Sequence, residues 1–460
     1  MTALSLPRSR PSEQGVAAAG VLAYLDGVER AGIDLHSLMV VRHGAVVAEG
    51  WWAPYSADRV HLLYSLSKSF TSSAIGIAEA EGLLSIDDLV LDHFPDEAPA
   101  NPSPHLRAMR VRDLLAMASG HREDTVERVM AGAPDLVRAF LALPPEHAPG
   151  TRFTYNQGCT HTLAVLVRRR SGRSLLDFLR PRLLDPLGID QAIWTLASDG
   201  VEQGYSGLHA VTESVAKLGQ LYLQRGRWRG RQLIPETYVE EATRKQVENR
   251  DQAENPDWQQ GYGFQFWRCR GDAFRGDGAF GQFCVVLPGK DAVVACTAQT
   301  AEMQAELDLV WEHLLPAMGA ADLEPDERAE EQLARRLGDL STARVEGRSQ
   351  GPREAVGFEP EGETAGLRRL RVERTSEGPR LTIEHAAGAV AVDLRPGRWA
   401  GADLPGVRTL LPPIAISGGW VSEREFRADL VFLTSPHRLS LRGIAGPIPR
   451  YTATWVQAPL

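Results

Sequence analysis

Ser65 and Lys68, in the run Tyr64-Ser65-Leu66-Ser67-Lys68-Ser69-Phe70, are the residues whose types and spacing most clearly suit chemistry. A serine hydroxyl and a lysine amine three residues apart share one face of a helix, with roughly 5–6 Å between their Cβ atoms. The amine takes or shares the serine proton once desolvation brings its pKa toward neutrality. A serine at a helix start also faces backbone N–H groups and the positive dipole end, which favour a developing oxyanion. The chemistry this suits is acyl transfer. The pattern recurs at Ser214-Val215-Ala216-Lys217, in an amphipathic stretch (211–223) where it reads as a surface lysine on a packed helix. Two features favour the first copy. The chain has only four lysines (Lys68, Lys217, Lys245, Lys290) and otherwise uses arginine, which cannot accept a proton. The first copy also has companions, and the second has none.

Three stretches accompany it. Pro149-Gly150-Thr151-Arg152-Phe153-Thr154-Tyr155-Asn156-Gln157 carries Tyr155, whose phenol suits a general base or proton shuttle beside Lys68. Val111-Arg112-Asp113-Leu114-Leu115, leading to Ser119-Gly120, has no evident chemistry and reads as a structural landmark. Gly276-Asp277-Gly278-Ala279-Phe280-Gly281-Gln282 is glycine-rich and runs directly into a strand. Such an edge permits close backbone approach, so a backbone N–H there suits an oxyanion.

In order and identity this set resembles the serine β-lactamase and penicillin-binding-protein superfamily, specifically its class C β-lactamase-like hydrolases and esterases, over roughly residues 10–317. The resemblance implies Ser65 as the acylated nucleophile, Lys68 as its activating partner and Tyr155 as the tyrosine of the Tyr-x-Asn element. It also implies an oxyanion hole from the backbone N–H groups of Ser65 and Ala279. Two departures bear on substrate. The last position of the tyrosine element is Gln157, an amide one methylene longer than asparagine, while Asn156 points elsewhere in that register. Where penicillin-recognising members place Lys-Thr-Gly or His-x-Gly, this chain has Gly276-Asp277-Gly278. The cation that anchors a substrate carboxylate is missing, Asp277 is set to repel one, and the neighbouring Arg275 falls on the opposite side of the strand from Gly276. With Gln157, Asp277 and Gly278 as substrate-contacting positions, weak or absent β-lactamase activity is expected. An ester, amide or peptide with a neutral or cationic acyl part fits better.

The elements that must position these groups follow from hydrophobic periodicity. Residues 12–32 pattern as a helix, and 38–42 and 45–49 as strands joined by a His43-Gly44 turn. A helix runs from Ser65 to about Gly82, and helical sequence dominates to about residue 243. Strands follow at 261–270, 281–287 and 292–297, then a helix at 302–315. The order predicts an α/β (α+β) β-lactamase-like fold in residues 1–317: an antiparallel sheet flanked by helices, with an inserted all-helical subdomain at about 69–250. A charged helical linker is expected over 318–366, with its helix at 324–340. A small β-rich barrel or sandwich is expected over 367–460, from strands at 367–372, 380–383, 390–394, 426–433, 438–441 and 452–456.

Composition narrows the function classes. A net charge of −9, without a basic stripe, argues against nucleic-acid binding. The four cysteines show neither Cys-x-x-Cys nor a zinc-like histidine spacing, so no metal or organic cofactor is expected. No apolar run reaches membrane-spanning length and the first eleven residues lack a signal-like apolar region, so the expected location is cytoplasmic. His121 and His161 have no carboxylate partner legible in the sequence and read as structural. The leading expectation is a serine hydrolase with an acyl-enzyme and a small-molecule or peptide acyl substrate. The alternatives are an acyltransferase or peptide-cyclising thioesterase using the same acyl-enzyme, and a non-catalytic scaffold, against which intact Ser65, Lys68 and Tyr155 argue.

Overall fold

The computed structural model describes residues 5–130, 133–251, 254–319, 322–348, 350–386, 388–402 and 413–460. His43 and Gly44 both have positive φ (50° and 76°), as a two-residue hairpin with right-handed strand twist requires. They join β1 (Asp34–Arg42) to β2 (Ala45–Trp51). Four later strands complete an antiparallel sheet: β3 (Trp267–Arg268), β4 (Phe274–Gly278), β5 (Gln282–Leu287) and β6 (Ala292–Gln299). The strand order is β2–β1–β6–β5–β4–β3. Of the expected strand at 261–270, only Trp267–Arg268 pairs as one. Gly261 and Gln265 hold positive φ (102° and 65°), which breaks a ladder. Phe274–Gly278, read as a glycine-rich edge, is a full strand.

Period-two alternation sends each strand's side chains to two cores. Met39 and Val41 of β1, with Val293 and Ala295 of β6, face the helical insert. Leu38 and Val40, with Val294 and Cys296, face the terminal helices α1 (Ala18–Ala31) and Met303–Leu309. The charged helix Glu327–Gly338 adds Leu333 to that second core.

The helix α2 (Ser67–Ala80) runs through the first core, and every residue from Ser67 to Ala78 is buried. A helix buried all round must satisfy its polar side chains internally. Here Ser69 Oγ donates to Gln265 O (2.9 Å), Thr71 Oγ1 to Gly204 O (2.7 Å) and Ser72 Oγ to Phe264 O (2.7 Å). These bonds tie irregular loops to the helix that carries Lys68.

The C-terminal sheet has nine strands: β7 (Val356–Pro360), β8 (Leu367–Arg374), β9 (Pro379–His385), β10 (Gly388–Asp393), β11 (Ala400–Ala402), β12 (Ile414–Trp420), β13 (Glu425–Phe432), β14 (Arg438–Ile444) and β15 (Arg450–Trp455). Its order is β10–β9–β8–β7–β15–β14–β13–β12–β11, wrapped around a filled apolar core with Phe358, Trp420, Phe426 and Tyr451. β7 lies inside the stretch expected as linker. β12 was not among the expected strands; there Gly419 lets the Gly347 backbone approach, and Arg348 N donates to Trp420 O (2.7 Å). This sheet docks on the first. Tyr55 packs with Ala415, Val431 and Leu433, Leu62 N donates to Thr434 O (2.8 Å), and Arg438 pairs with Asp34 at 2.8 Å.

Candidate active site

Ser65 lies in a single 3-10 turn, Tyr64–Leu66, that runs straight into α2. Tyr64 adopts positive φ (47°), a left-handed setting that costs a non-glycine residue about 1–2 kcal/mol. Three positions on, Lys68 is 1% exposed, and its Nζ reaches Ser65 Oγ at 2.8 Å and the Tyr205 carbonyl oxygen at 2.7 Å. Burial lowers the Lys68 pKa to about 7, against the opposing pull of the Asp124 and Asp277 carboxylates.

Tyr155 supplies the next wall. Its ring centroid is 4.7 Å from Lys68 Nζ, and the Ser65 hydroxyl is the leading influence that opposes the effect of burial on its phenol. Burial pushes the phenol far above its ordinary pKa, so it stays protonated. The ring stacks on Trp267 at 5.4 Å and meets Tyr262 edge-on at 6.2 Å. Asn156 then caps the helix α3 (Gln157–Ser171), accepting from Gly158 N (3.0 Å) and Thr125 Oγ1 (2.8 Å), which turns it away from Ser65. Gln157 donates its backbone N–H to Asp124 Oδ1 (2.9 Å), and its side-chain Oε1 is buried without a hydrogen-bond partner among the described residues.

The glycines of β4 bring the third wall close. A Cβ on Gly278 would stand 2.1 Å from the Leu63 carbonyl oxygen, and one on Gly276 would stand 3.0 Å from Ser69 Oγ. The strand therefore runs against the Tyr64–Leu66 turn with no side chain between. Ala279 follows alongside, and the next residue, Phe280, packs its ring on Tyr64 at 5.3 Å. Gln282 Nε2 holds the turn by donating to Ala279 O (3.0 Å) and Ala298 O (2.7 Å).

Asp277 is not the bare charge expected from the sequence. Arg275, two residues earlier on the same face, donates its Nε to Asp277 Oδ2 at 2.9 Å. The guanidinium is fully buried, lies 4.3 Å from the Trp258 ring centroid and donates to Asp257 O (2.8 Å). Arg275 does face away from the Gly276 side, but that is the side Asp277 shares, so Asp277 is partnered and a simple repulsion of carboxylates does not follow.

Several neighbours escaped the sequence reading. Asp124, only partly buried, acts on Lys68, and Tyr205 offers it a carbonyl; neither carries a local pattern. His161 has a carboxylate partner after all, Asp199 at 2.7 Å, behind Tyr205. His121 bonds to Ser119 Oγ and the Leu143 carbonyl oxygen, a structural role. Lys217 of the second Ser-x-x-Lys is buried rather than at the surface; it bonds to Gly188 O (3.2 Å) and pairs with Glu213, so its role remains structural. Among the described residues no group of three or more His, Cys, Asp or Glu side chains could hold a metal ion, and no helix is long and apolar enough to cross a membrane.

The sequence pattern of the family described as Beta-lactamase matches residues 25–317, from α1 to the last helix of the first sheet. The chain belongs to the beta-lactamase family. The chain is 31% identical over 172 residues to the D-aminopeptidase of Brucella anthropi, a match covering 33% of this chain and 31% of that one. It is 33% identical over 175 residues to the D-aminopeptidase of Brucella suis biovar 1, covering 34% and 32%. The chain thus spans about a third of the length of these curated relatives. Among solved structures, the octameric penicillin-binding protein homologue from Pyrococcus abyssi superposes with a TM-score of 0.52 at 16% identity, covering 93% of this chain and 96% of that one. SurE with D-Leu does so with a TM-score of 0.52 at 19% identity, covering 90% and 97%. At these identities the structures show the shared β-lactamase-like fold, including the β-rich C-terminal region.

Proposed function

We propose that this beta-lactamase-family protein is a serine hydrolase that forms an acyl-enzyme at Ser65 on small amide, ester or peptide substrates. The observation that carries the reading is the 2.8 Å bond between Ser65 Oγ and a buried Lys68 whose pKa is lowered to about 7. A neutral amine there accepts the Ser65 proton as Oγ attacks the substrate carbonyl carbon. Tyr155 stays protonated, so it acts as a donor and shuttle rather than as the base. The Ser65 and Ala279 N–H groups face the developing oxyanion. As the tetrahedral species collapses, the carbonyl–leaving-group bond breaks and the proton passes from Lys68 through Tyr155 to the leaving amine or alkoxide. Water, losing its proton to the same lysine, then attacks the acyl carbon and releases Ser65.

Substrate charge follows from what surrounds Lys68. Gly276 stands where penicillin-recognising relatives carry a cation, and Arg275 is engaged by Asp277. Asp124 is partly exposed beside the reacting groups, and the Gln157 Oε1 lacks a partner among the described residues; both are acceptors suited to a substrate amine. The D-aminopeptidase relatives and the D-Leu complex of SurE support short substrates with a free amine and a D-configured residue.

Labelling with a fluorophosphonate tests the nucleophile: the wild type labels and Ser65→Ala does not. Equal labelling of both would remove the assignment. D-Alanine p-nitroanilide should turn over at least about tenfold faster than its N-acetyl form, the worth of one charge-assisted hydrogen bond. A preference for the acetylated compound would overturn the substrate reading.

A further inference from the structure

Two residues beside the reacting groups hold a left-handed backbone without being glycine: Tyr64, just before Ser65, and Phe280, just after Ala279, at φ 47° and 67°. Such settings persist only where the surroundings impose them. One imidazole from the C-terminal sheet touches both. His437, at the turn before β14, has its Nε2 2.7 Å from the Tyr64 hydroxyl. Its ring centroid lies 5.9 Å from that of Tyr64 and 5.5 Å from that of Phe280, edge-on in both cases. Tyr64 and Phe280 complete the triangle at 5.3 Å.

The hydrogen bonds fix the direction of this contact. His437 Nδ1 lies 3.0 Å from the Gln457 carbonyl oxygen, which only accepts, so Nδ1 carries the proton. Nε2 is then the acceptor, and the Tyr64 O–H donates to it. His437 is itself held: its carbonyl accepts from Phe432 N (3.0 Å), and Trp455 packs on its ring at 6.1 Å. Nothing on the Ser65 domain replaces this acceptor among the hydrogen bonds of the described residues.

We propose that His437 is a positioning residue for the oxyanion hole: through Tyr64 and Phe280, the C-terminal domain sets the spacing between the Ser65 and Ala279 N–H groups. The inference rests on the Ser65 acyl-enzyme reading. It gives the β-rich domain a part in the chemistry without any contact to substrate. A small displacement of either N–H costs rate rather than binding, because the oxyanion exists only along the reaction path.

The test compares His437→Phe, which keeps the ring and removes the acceptor, with Tyr64→Phe, which removes the donor, and with His437→Gln, which restores an acceptor. Each is assayed in the full chain for p-nitrophenyl acetate hydrolysis and for the rate of fluorophosphonate labelling. The expected result is a kcat lowered about ten- to a hundredfold with KM nearly unchanged in both phenylalanine variants. The double variant should be no slower than either single one, and His437→Gln should recover most of the loss. Unchanged kcat in the single variants, a loss confined to KM, or losses that multiply in the double variant would each overturn the proposal. If His437→Phe does not fold, Tyr64→Phe decides by the same readouts. A wild type that neither labels nor hydrolyses overturns the acyl-enzyme reading and this one with it; a labelled wild type matched by its variants overturns the clamp alone.

Discussion

Arg275 holds Asp277 through a 2.9 Å hydrogen bond between residues on one face of β4, the face opposite to Gly276. The arginine is fully buried, and the aspartate is 9% exposed. A buried pair of this kind is weak evidence of net stabilisation, but its halves depend on each other. The Asp277 charge that survives there also acts on Lys68.

Removing Arg275 should therefore unfold the protein more readily. Arg275→Met leaves the Asp277 carboxylate buried without its partner, at an expected cost of about 3–5 kcal/mol. Urea denaturation measures it. Adding Asp277→Leu to the same chain should return much of the loss, since the stranded charge is then gone. A single variant as stable as wild type would show that the pair carries no such dependence.

The rate should rise with pH through about 7, where Lys68 loses its proton and becomes able to accept that of Ser65. Asp124 is the leading influence holding that value up against burial. Asp124→Asn keeps the hydrogen-bond acceptor for Gln157 N and Val126 N but removes the charge. The acid limb of kcat/KM should then move to lower pH, by about half to one unit. A limb that stays in place or moves up would contradict the assignment of Lys68 as the base.

The buried amine that serves activity should cost stability. Its native pKa of about 7 lies below the ordinary lysine value, so between the two the unfolded chain holds a proton that the native state does not. Stability accordingly rises with pH from about 7 toward 10, and the penalty is complete below 7. Lys68→Met should abolish turnover yet raise stability at pH 6 by about 3–5 kcal/mol, the gain shrinking toward pH 10. Denaturation at the two pH values reads this directly, and an equal gain at both would rule the titration out.

Much of the fold was legible because local rules suffice for it. The His43-Gly44 turn, the β-rich runs of β1 and β6, and the end of α2 before Gly82 with its positive φ all follow from turn chemistry and local composition. β7, β11 and β12 were missed for the converse reason. Each is short or glycine-bearing; β7 gains a partner in the distant β15, whereas β11 and β12 pair with each other and β12 with β13. The expected strand at 261–270 failed where Gly261 and Gln265 turn left-handed, and the segment instead offers the Phe264 and Gln265 carbonyls to α2.

By itself the sequence determined that Ser65 and Lys68 stand three residues apart at a helix start, that Tyr155 accompanies them in a Tyr-x-Gln element, and that the glycines of β4 allow a close backbone approach. These are matters of spacing within a few residues. Only the tertiary structure decided that Lys68 is buried enough to lose its proton near neutrality, that Asp124 and Asp277 flank it, and that Arg275 answers Asp277. It alone brought His437 to Tyr64, 373 positions away in the chain. Burial, Coulomb interaction and hydrogen bonding depend on distance in space, and no local pattern records which distant residues the packed core brings together.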